Sequence, residues 1–280
     1  MASGTASTSL PLETYDRADI PLIDTHIHLD SYSLADQESI ASALAMGNVQ
    51  YIITVSMNLP SCKRNLELSR IYGDSIKPAF GYHPEQPLPS PDETEELLRW
   101  MENHVQDMVA VGEVGLPYYA RLEAESAVHS WDNAPYIELL ERFVAFAKKH
   151  DKPIILHAVY EDADTACDLL EAYGIARAHF HWFKGSRDTL DRMAASGYHI
   201  SFTPDILYEE EIRDIARMYP PQLVMTETDG PWPFEGPLQG QTTRPEMTAL
   251  AAAAWAELQG ISEQEARRQL YRNAARLYGL

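Results

Sequence analysis

Cysteine is scarce: the 280 residues hold only Cys62 and Cys167, and neither sits in a CxxC spacing. Two distant thiols make no disulfide framework, so a stapled secreted scaffold is excluded and a reducing, cytoplasmic setting is expected. Long apolar runs are missing too. Nothing approaches the roughly 18 apolar residues of a membrane span. The opening MASGTASTSL lacks the basic start and apolar core of a secretory signal. Residues 1–19 therefore read as a flexible lead, and 20–280 as a single domain. Basic residues are few: Lys and Arg number 22 against 42 Asp and Glu, a formal charge of −20. Such a surface repels polyanions over a Debye length of roughly 8 Å. Tight, sequence-independent binding to duplex DNA needs many Lys and Arg contacts to phosphate, and is not expected here.

What the chain does have is alternation. Short apolar runs at 20–24, 51–55, 77–80, 108–111, 153–156, 178–182, 198–202 and 223–226 read as strands. Amphipathic stretches at 35–46, 62–72, 94–103, 135–150, 163–173, 187–195 and 209–218 read as helices. Further helices at 248–258 and 262–277 follow, the last opened by a Ser262–Glu265 capping box. The stretch 115–133 is the least periodic and reads as a long connection, and the Pro-rich loop 84–91 as a lid or a simple link. Strand–helix alternation implies a parallel sheet with helices outside it. Eight strand candidates favour a closed (β/α)₈ TIM barrel, for which about 250 residues is ordinary, over an open doubly wound sheet.

The informative pattern is where histidines and acids fall. His26, His28, Glu113, His157, His181 and Asp229 lie at or just past the C-terminal ends of expected strands. A barrel gathers those ends on one rim, which holds its active site. His26 and His28 are two apart on extended chain, so their side chains share a side and suit a divalent metal. Asp24 is placed to orient an imidazole. An HxH pair alone is weak, and a surface loop pair is the competing reading. Glu113 would be costly to bury unpaired; a metal satisfies it, and one carboxylate can bridge two ions. A lone histidine such as His157 is more often a hydrogen-bonded core residue than a ligand. His181 is nearer the rim than His179, which makes His181 the candidate ligand and His179 structural. Asp229 can bind metal and accept a proton from water.

Taken in order, Asp-Thr-His26-Ile-His28, Gly81-Tyr-His83-Pro, Gly112-Glu113-Val-Gly-Leu, Leu-His157, His181-Trp-Phe-Lys-Gly185, Glu227-Thr-Asp229-Gly-Pro-Trp232 and the closing Asn273-Ala-Ala-Arg-Leu-Tyr-Gly279 resemble the successive signatures of the TatD-like metal-dependent hydrolases. The resemblance runs from about residue 22 to the end. It implies a distorted TIM barrel, two divalent ions (Zn, Mn or Mg) and hydrolysis of phosphoester bonds, often as a deoxyribonuclease. By the same resemblance His26 and His28 hold one ion with Asp229, Glu113 bridges the pair, His157 and His181 hold the second, and His83 lies near substrate.

Two departures bear on substrate. Pro117 stands where the family usually has Asp, followed by Tyr118 and Tyr119, and Val159 stands where it usually has Arg. A lost Arg removes a bidentate phosphate donor. Lys184 and Arg121 are candidate replacements, although solvated charge is the commoner role for each. Tyr118, Tyr119 and Trp182 can stack on a base or ring, or simply pack. The expected function is cleavage of phosphoester bonds in DNA ends or small nucleotidic substrates, with Asp229 and Glu113 as the catalytic carboxylates. An amidohydrolase or lactonase acting on a small molecule is the alternative, and a barrel with a purely structural metal is the third reading.

Overall fold

The computed structural model describes residues 20–44, 48–127 and 130–280; the expected lead over 1–19 lies outside the described residues. Eight parallel strands lie side by side in chain order: β1 (Leu22–Ile27), β2 (Val49–Thr54), β3 (Ile76–Phe80), β4 (Ala110–Gly115), β5 (Ile154–His157), β6 (Ala178–Phe180), β7 (His199–Phe202) and β8 (Val224–Thr226). Parallel neighbours need a crossover of a dozen or more residues. Those crossovers carry α1 (Leu34–Leu44), α2 (Leu59–Tyr72), α3 (Pro91–Asn103), α4 (Tyr118–Ser126), α5 (Ala134–His150), α6 (Glu161–Tyr173), α7 (Arg187–Ala195) and α8 (Glu210–Met218). Two more helices, α9 (Thr248–Gln259) and α10 (Glu263–Tyr278), end the chain.

The first and last strands meet. Thr25 Oγ1 donates to the Thr226 carbonyl at 3.0 Å. Just beyond, Asp229 N donates to the His26 carbonyl and His28 N to the Gly230 carbonyl, each at 2.8 Å. The sheet is therefore a (β/α)₈ barrel and not the open alternative, and its seam runs through three of the expected ligands.

Side chains alternate across each strand, so one set fills the barrel and the other meets the helices. Ile23, Ile53, Ala79, Ala110, Ile155 and Met225 fill the interior, and α10 supplies Ala274, Leu277 and Tyr278 to the same cluster. The alternate positions Leu22, Phe80, Val111 and Ile154 belong to the larger core shared with the helices. Each buried Leu, Ile or Phe contributes about 1.5–3 kcal/mol. α10 is held in place by Asn273, whose Nδ2 donates to the carbonyls of Pro221 at 2.8 Å and Val224 at 2.7 Å. The Ser262–Glu265 capping box is present at its start, and Gly279, at φ 72, ends it in the left-handed region that glycine adopts without strain.

Several boundaries differ from the sequence reading. β1 and β4 extend past the apolar runs at 20–24 and 108–111, so His26 and Glu113 lie within strands. The 115–133 connection contains α4, which buries no residue; without a buried face it shows no apolar period. Positions 45 and 46 of the expected first helix lie outside the described residues. Cys62 and Cys167 are free and buried. Among the described residues no helix is long and apolar enough to cross a membrane.

Candidate metal centre

Glu113 is wholly buried on β4, and its two oxygens face different partners. Oε2 lies 3.1 Å from His26 Nε2 and 3.4 Å from His28 Nε2. Oε1 lies 2.7 Å from His181 Nε2, 3.0 Å from His157 Nδ1 and 3.5 Å from His83 Nε2. Asp229 Oδ1 joins the first group, 3.4 Å from both His26 Nε2 and His28 Nε2. All six expected ligands thus converge, and His83 stands beside them. The Gly-Glu-Val-Gly spacing permits this: a Cβ on Gly115 would lie 1.9 Å from the His157 carbonyl oxygen, so β4 and β5 could not approach so closely with a side chain there.

Electrostatics divides the cluster. Burial alone would raise the pKa of Glu113, but His83, His181 and His26 and a hydrogen bond with His157 outweigh it and hold the carboxyl well below the usual range. Burial pulls His28 down, yet the carboxylates of Asp229 and Glu113 push it up to about 10. Burial, with the nearby His181, lowers His26. Burial also takes His83 down to about 3.

The residues fit a cation. His26 Nε2, Glu113 Oε2 and Asp229 Oδ1 are buried and lack a hydrogen-bond partner. Each such atom costs about 1–3 kcal/mol, and here His26 Nε2 stands 3.1 Å from Glu113 Oε2 and 3.4 Å from Asp229 Oδ1. Nitrogen and oxygen donors reach an ion such as Zn at about 2.0–2.2 Å, so one ion would satisfy them together. The trios His26–Glu113–His181, His26–His28–Asp229 and His83–Glu113–His157 each bring their donor atoms within 4.8 Å.

A surrounding layer fixes these groups. Asp24 orients no imidazole, contrary to the sequence reading. Its Oδ1 accepts the amides of His26 at 3.3 Å and Thr228 at 3.0 Å, and its Oδ2 the Thr228 hydroxyl at 2.5 Å. Its work is to tie β1 to the segment after β8. His157 Nε2 lies 3.2 Å from Glu85 Oε1, which leaves Nδ1 facing Glu113. Glu227 Oε1 accepts the Trp182 amide at 2.7 Å and stands 3.5 Å from His181 Nδ1. Its Oε2 accepts the Ser201 hydroxyl at 2.6 Å; Ser201 pairs with His179, and His179 with the Tyr278 hydroxyl at 2.7 Å. His179 is structural, as its depth in strand six predicts. Sequence reasoning gave Glu85 and Glu227 no role. Glu227 carried a signal, an acid at a strand end; Glu85, inside a Pro-rich loop, carried none.

At the mouth the cationic and aromatic candidates separate. Arg121 is not free: its guanidinium bonds Glu161 and Asp162, each at 3.0 Å, and lies over the Tyr118 ring. Val159 is buried. Lys184 gives its carbonyl to Tyr160 N at 2.7 Å, and its ammonium lies in the field of Asp205. Tyr119, half exposed, has its ring 6.1 Å from that of His157, while Tyr118 sits against Tyr160 at 4.9 Å. The Trp182 indole donates to Asp205 Oδ2 at 2.5 Å and its ring contacts Trp232 and Phe234.

A family model described as TatD related DNase matches residues 23–279. The chain belongs to the TatD family. A Haemophilus influenzae member named as an uncharacterized metal-dependent hydrolase is 38% identical over 259 residues, covering 92% of this chain and all of that one. The human deoxyribonuclease TATDN3 is 24% identical, over 93% of this chain and 96% of its own. The crystal structure of YjjV, a TatD homologue from Escherichia coli K12, superposes with a TM-score of 0.78 at 28% identity, over 92% of this chain and 98% of that one. The TatD chain described here is accordingly a metal-dependent hydrolase on a TIM barrel.

Proposed function

We propose that this TatD protein hydrolyses phosphoester bonds with the help of two divalent ions. The observation that carries the proposal is the division of Glu113, one oxygen toward His26 and His28 and the other toward His157 and His181. His26, His28 and Asp229 would hold one ion, His157 and His181 the other, and Glu113 both. Such a mixed set admits Zn, Mn or Mg. Bound there, such ions would supply the charge that lowers the pKa of a water and polarises the bond under attack.

The side chains supply the rest. Burial would raise the pKa of Asp229, but the close approach of His28 at 3.4 Å and the fields of His26 and His28 lower it, so the carboxylate is ionised and ready to accept the proton of the attacking water. The Glu85 amide donates to His83 Nδ1 at 3.1 Å, so the neutral ring keeps its proton on Nε2. That N–H suits a substrate oxygen better than a metal. Tyr118 and Lys184 contribute to the mouth, with Tyr119 nearer the centre. The net charge of −20 favours DNA ends or small nucleotidic substrates over a tightly held duplex.

A second reading has its own support. Val159 is buried and Arg121 is paired with Glu161 and Asp162, so neither offers a phosphate a free guanidinium. A lactone or amide needs none. Metal-stripped protein, reloaded separately with Zn, Mn and Mg, would be assayed on single-stranded DNA, phosphodiesters and lactones beside Asp229→Asn. Phosphodiester cleavage that needs metal and Asp229 is expected. Turnover of lactones alone would move the assignment to the second reading, and full activity without metal would overturn both.

A further inference from the structure

Helix α4 lacks the usual means of staying in place. It buries no residue, and Pro117 before it gives no side-chain cap. The first amides of a helix need outside acceptors. Here they come from far along the chain: Glu85 Oε1 accepts Tyr119 N at 2.9 Å and Glu85 Oε2 accepts Ala120 N at 2.7 Å. The same Oε1 lies 3.2 Å from His157 Nε2. One carboxylate thus holds both the start of a surface helix and the outer nitrogen of a metal-facing imidazole. The other fixed point of α4 is Arg121, bound to Glu161 and Asp162 of α6.

We infer that Glu85 is a positioning residue that couples α4 to the half-site of His157 and His181, an inference that rests on the metal-centre reading above. The physical link is the imidazole. A carboxylate on Nε2–H fixes the tautomer and makes Nδ1 a better donor; in return, a cation drawing on Nδ1 polarises Nε2–H toward the carboxylate. Glu85 is therefore held more firmly when the half-site is filled, and with it the Tyr119 and Ala120 amides. Because Tyr119 stands beside His157 at the mouth, filling the half-site also sets the tyrosine that meets incoming substrate. Coupling of this kind is reciprocal.

The test reads binding and backbone exchange rather than turnover. Mn²⁺ and Zn²⁺ would be titrated calorimetrically into stripped wild type, Glu85→Ala and Glu85→Gln, with amide hydrogen exchange followed over α4. Glu85→Ala should weaken the second binding event by about 10–100-fold, the cost of losing such a partner, and leave the first unchanged. Ion loading should slow exchange at Tyr119 and Ala120 in wild type and not in Glu85→Ala. Glu85→Gln, which preserves shape, should show a smaller loss of the same kind and serves if the alanine variant does not fold. Faster α4 exchange with wild-type ion binding would make Glu85 a helix cap only and overturn the coupling. If a single ion binds, weakening of that event by Glu85→Ala sustains the coupling while sinking the two-ion reading; no weakening sinks the coupling itself.

Discussion

Asp229 is bonded to His26 through the backbone and faces it through the side chain. Its amide donates to the His26 carbonyl at 2.8 Å, and its Oδ1 stands 3.4 Å from His26 Nε2. The residue sits at φ 50, a left-handed conformation that an Asp tolerates better than most residues and that recurs at active sites. The backbone bond positions the carboxylate independently of its charge. Asp229→Asn should therefore fold normally and lose proton acceptance, with kcat falling on the order of 10²–10⁴-fold and KM changing far less. Steady-state kinetics with the thermal midpoint as a folding control decide it; an unchanged kcat removes Asp229 from the proton path.

Glu113 turns one oxygen toward His26 and His28 and the other toward His157 and His181. Glu113→Gln keeps the volume but loses the charge that offsets the surrounding imidazoles. On the proposed two-ion reading, both ions should bind more weakly, and activity should fall on the order of 10³-fold, the equivalent of several kcal/mol of lost charge stabilisation. Metal content by elemental analysis separates this from loss of a single ion. Chelation of wild type should give the same inactivity and lower the thermal midpoint, since a ligand held at 100 times its Kd contributes about 2.7 kcal/mol.

The close approach of β4 to β5 gives a third expectation. A Cβ at Gly115 would meet the carbonyl oxygen of His157 at 1.9 Å, and that oxygen already accepts Leu116 N at 2.9 Å. Backbone has little room to yield. Gly115→Ala should destabilise the protein by about 3 kcal/mol, the upper end for overpacking, and weaken ion binding by displacing His157. Denaturant unfolding and calorimetry read the two effects separately.

Away from the centre, His199 on β7 sets a pH dependence. Both ring nitrogens lack hydrogen-bond partners, and burial, with Arg276 nearby, takes its pKa down to about 4 from 6.5. The unfolded chain therefore binds a proton that the folded state refuses between those values. Stability from this group is complete above about pH 6.5 and is lost as pH falls toward 4. Full loss would amount to about 3 kcal/mol. His199→Asn should flatten the stability profile between pH 7 and 4.5, measured by urea unfolding; parallel profiles would assign the acid sensitivity elsewhere.

Much of this molecule was legible in the chain because apolar alternation reports burial. The strand runs appeared in order, and histidines and acids at their ends located the rim. What failed was reading through buried polar residues. β1 continues through Asp24, Thr25 and His26, all buried, and β4 through Glu113. Hydrophobic pattern stops at such residues, although hydrogen bonds and facing donors hold them inside. α4 was missed for the opposite reason: it is a helix with no buried face. Glu85 was invisible because its partners, Tyr119 and Ala120, lie 34 and 35 positions away, and no local period connects a loop acid to a distant helix start.

The seam between β1 and β8 also sets a timetable. Thr25 and Thr226 are bonded across 201 positions of sequence. A ribosome adding about 5–20 residues per second would expose His26 and His28 for roughly 10–40 seconds before Asp229 exists to face them. During that interval the growing chain holds half a binding site and no closed barrel. Hydrolytic competence should thus arrive late and all at once, when the final strand docks, and a nascent chain halted before residue 229 should be inert however much metal surrounds it.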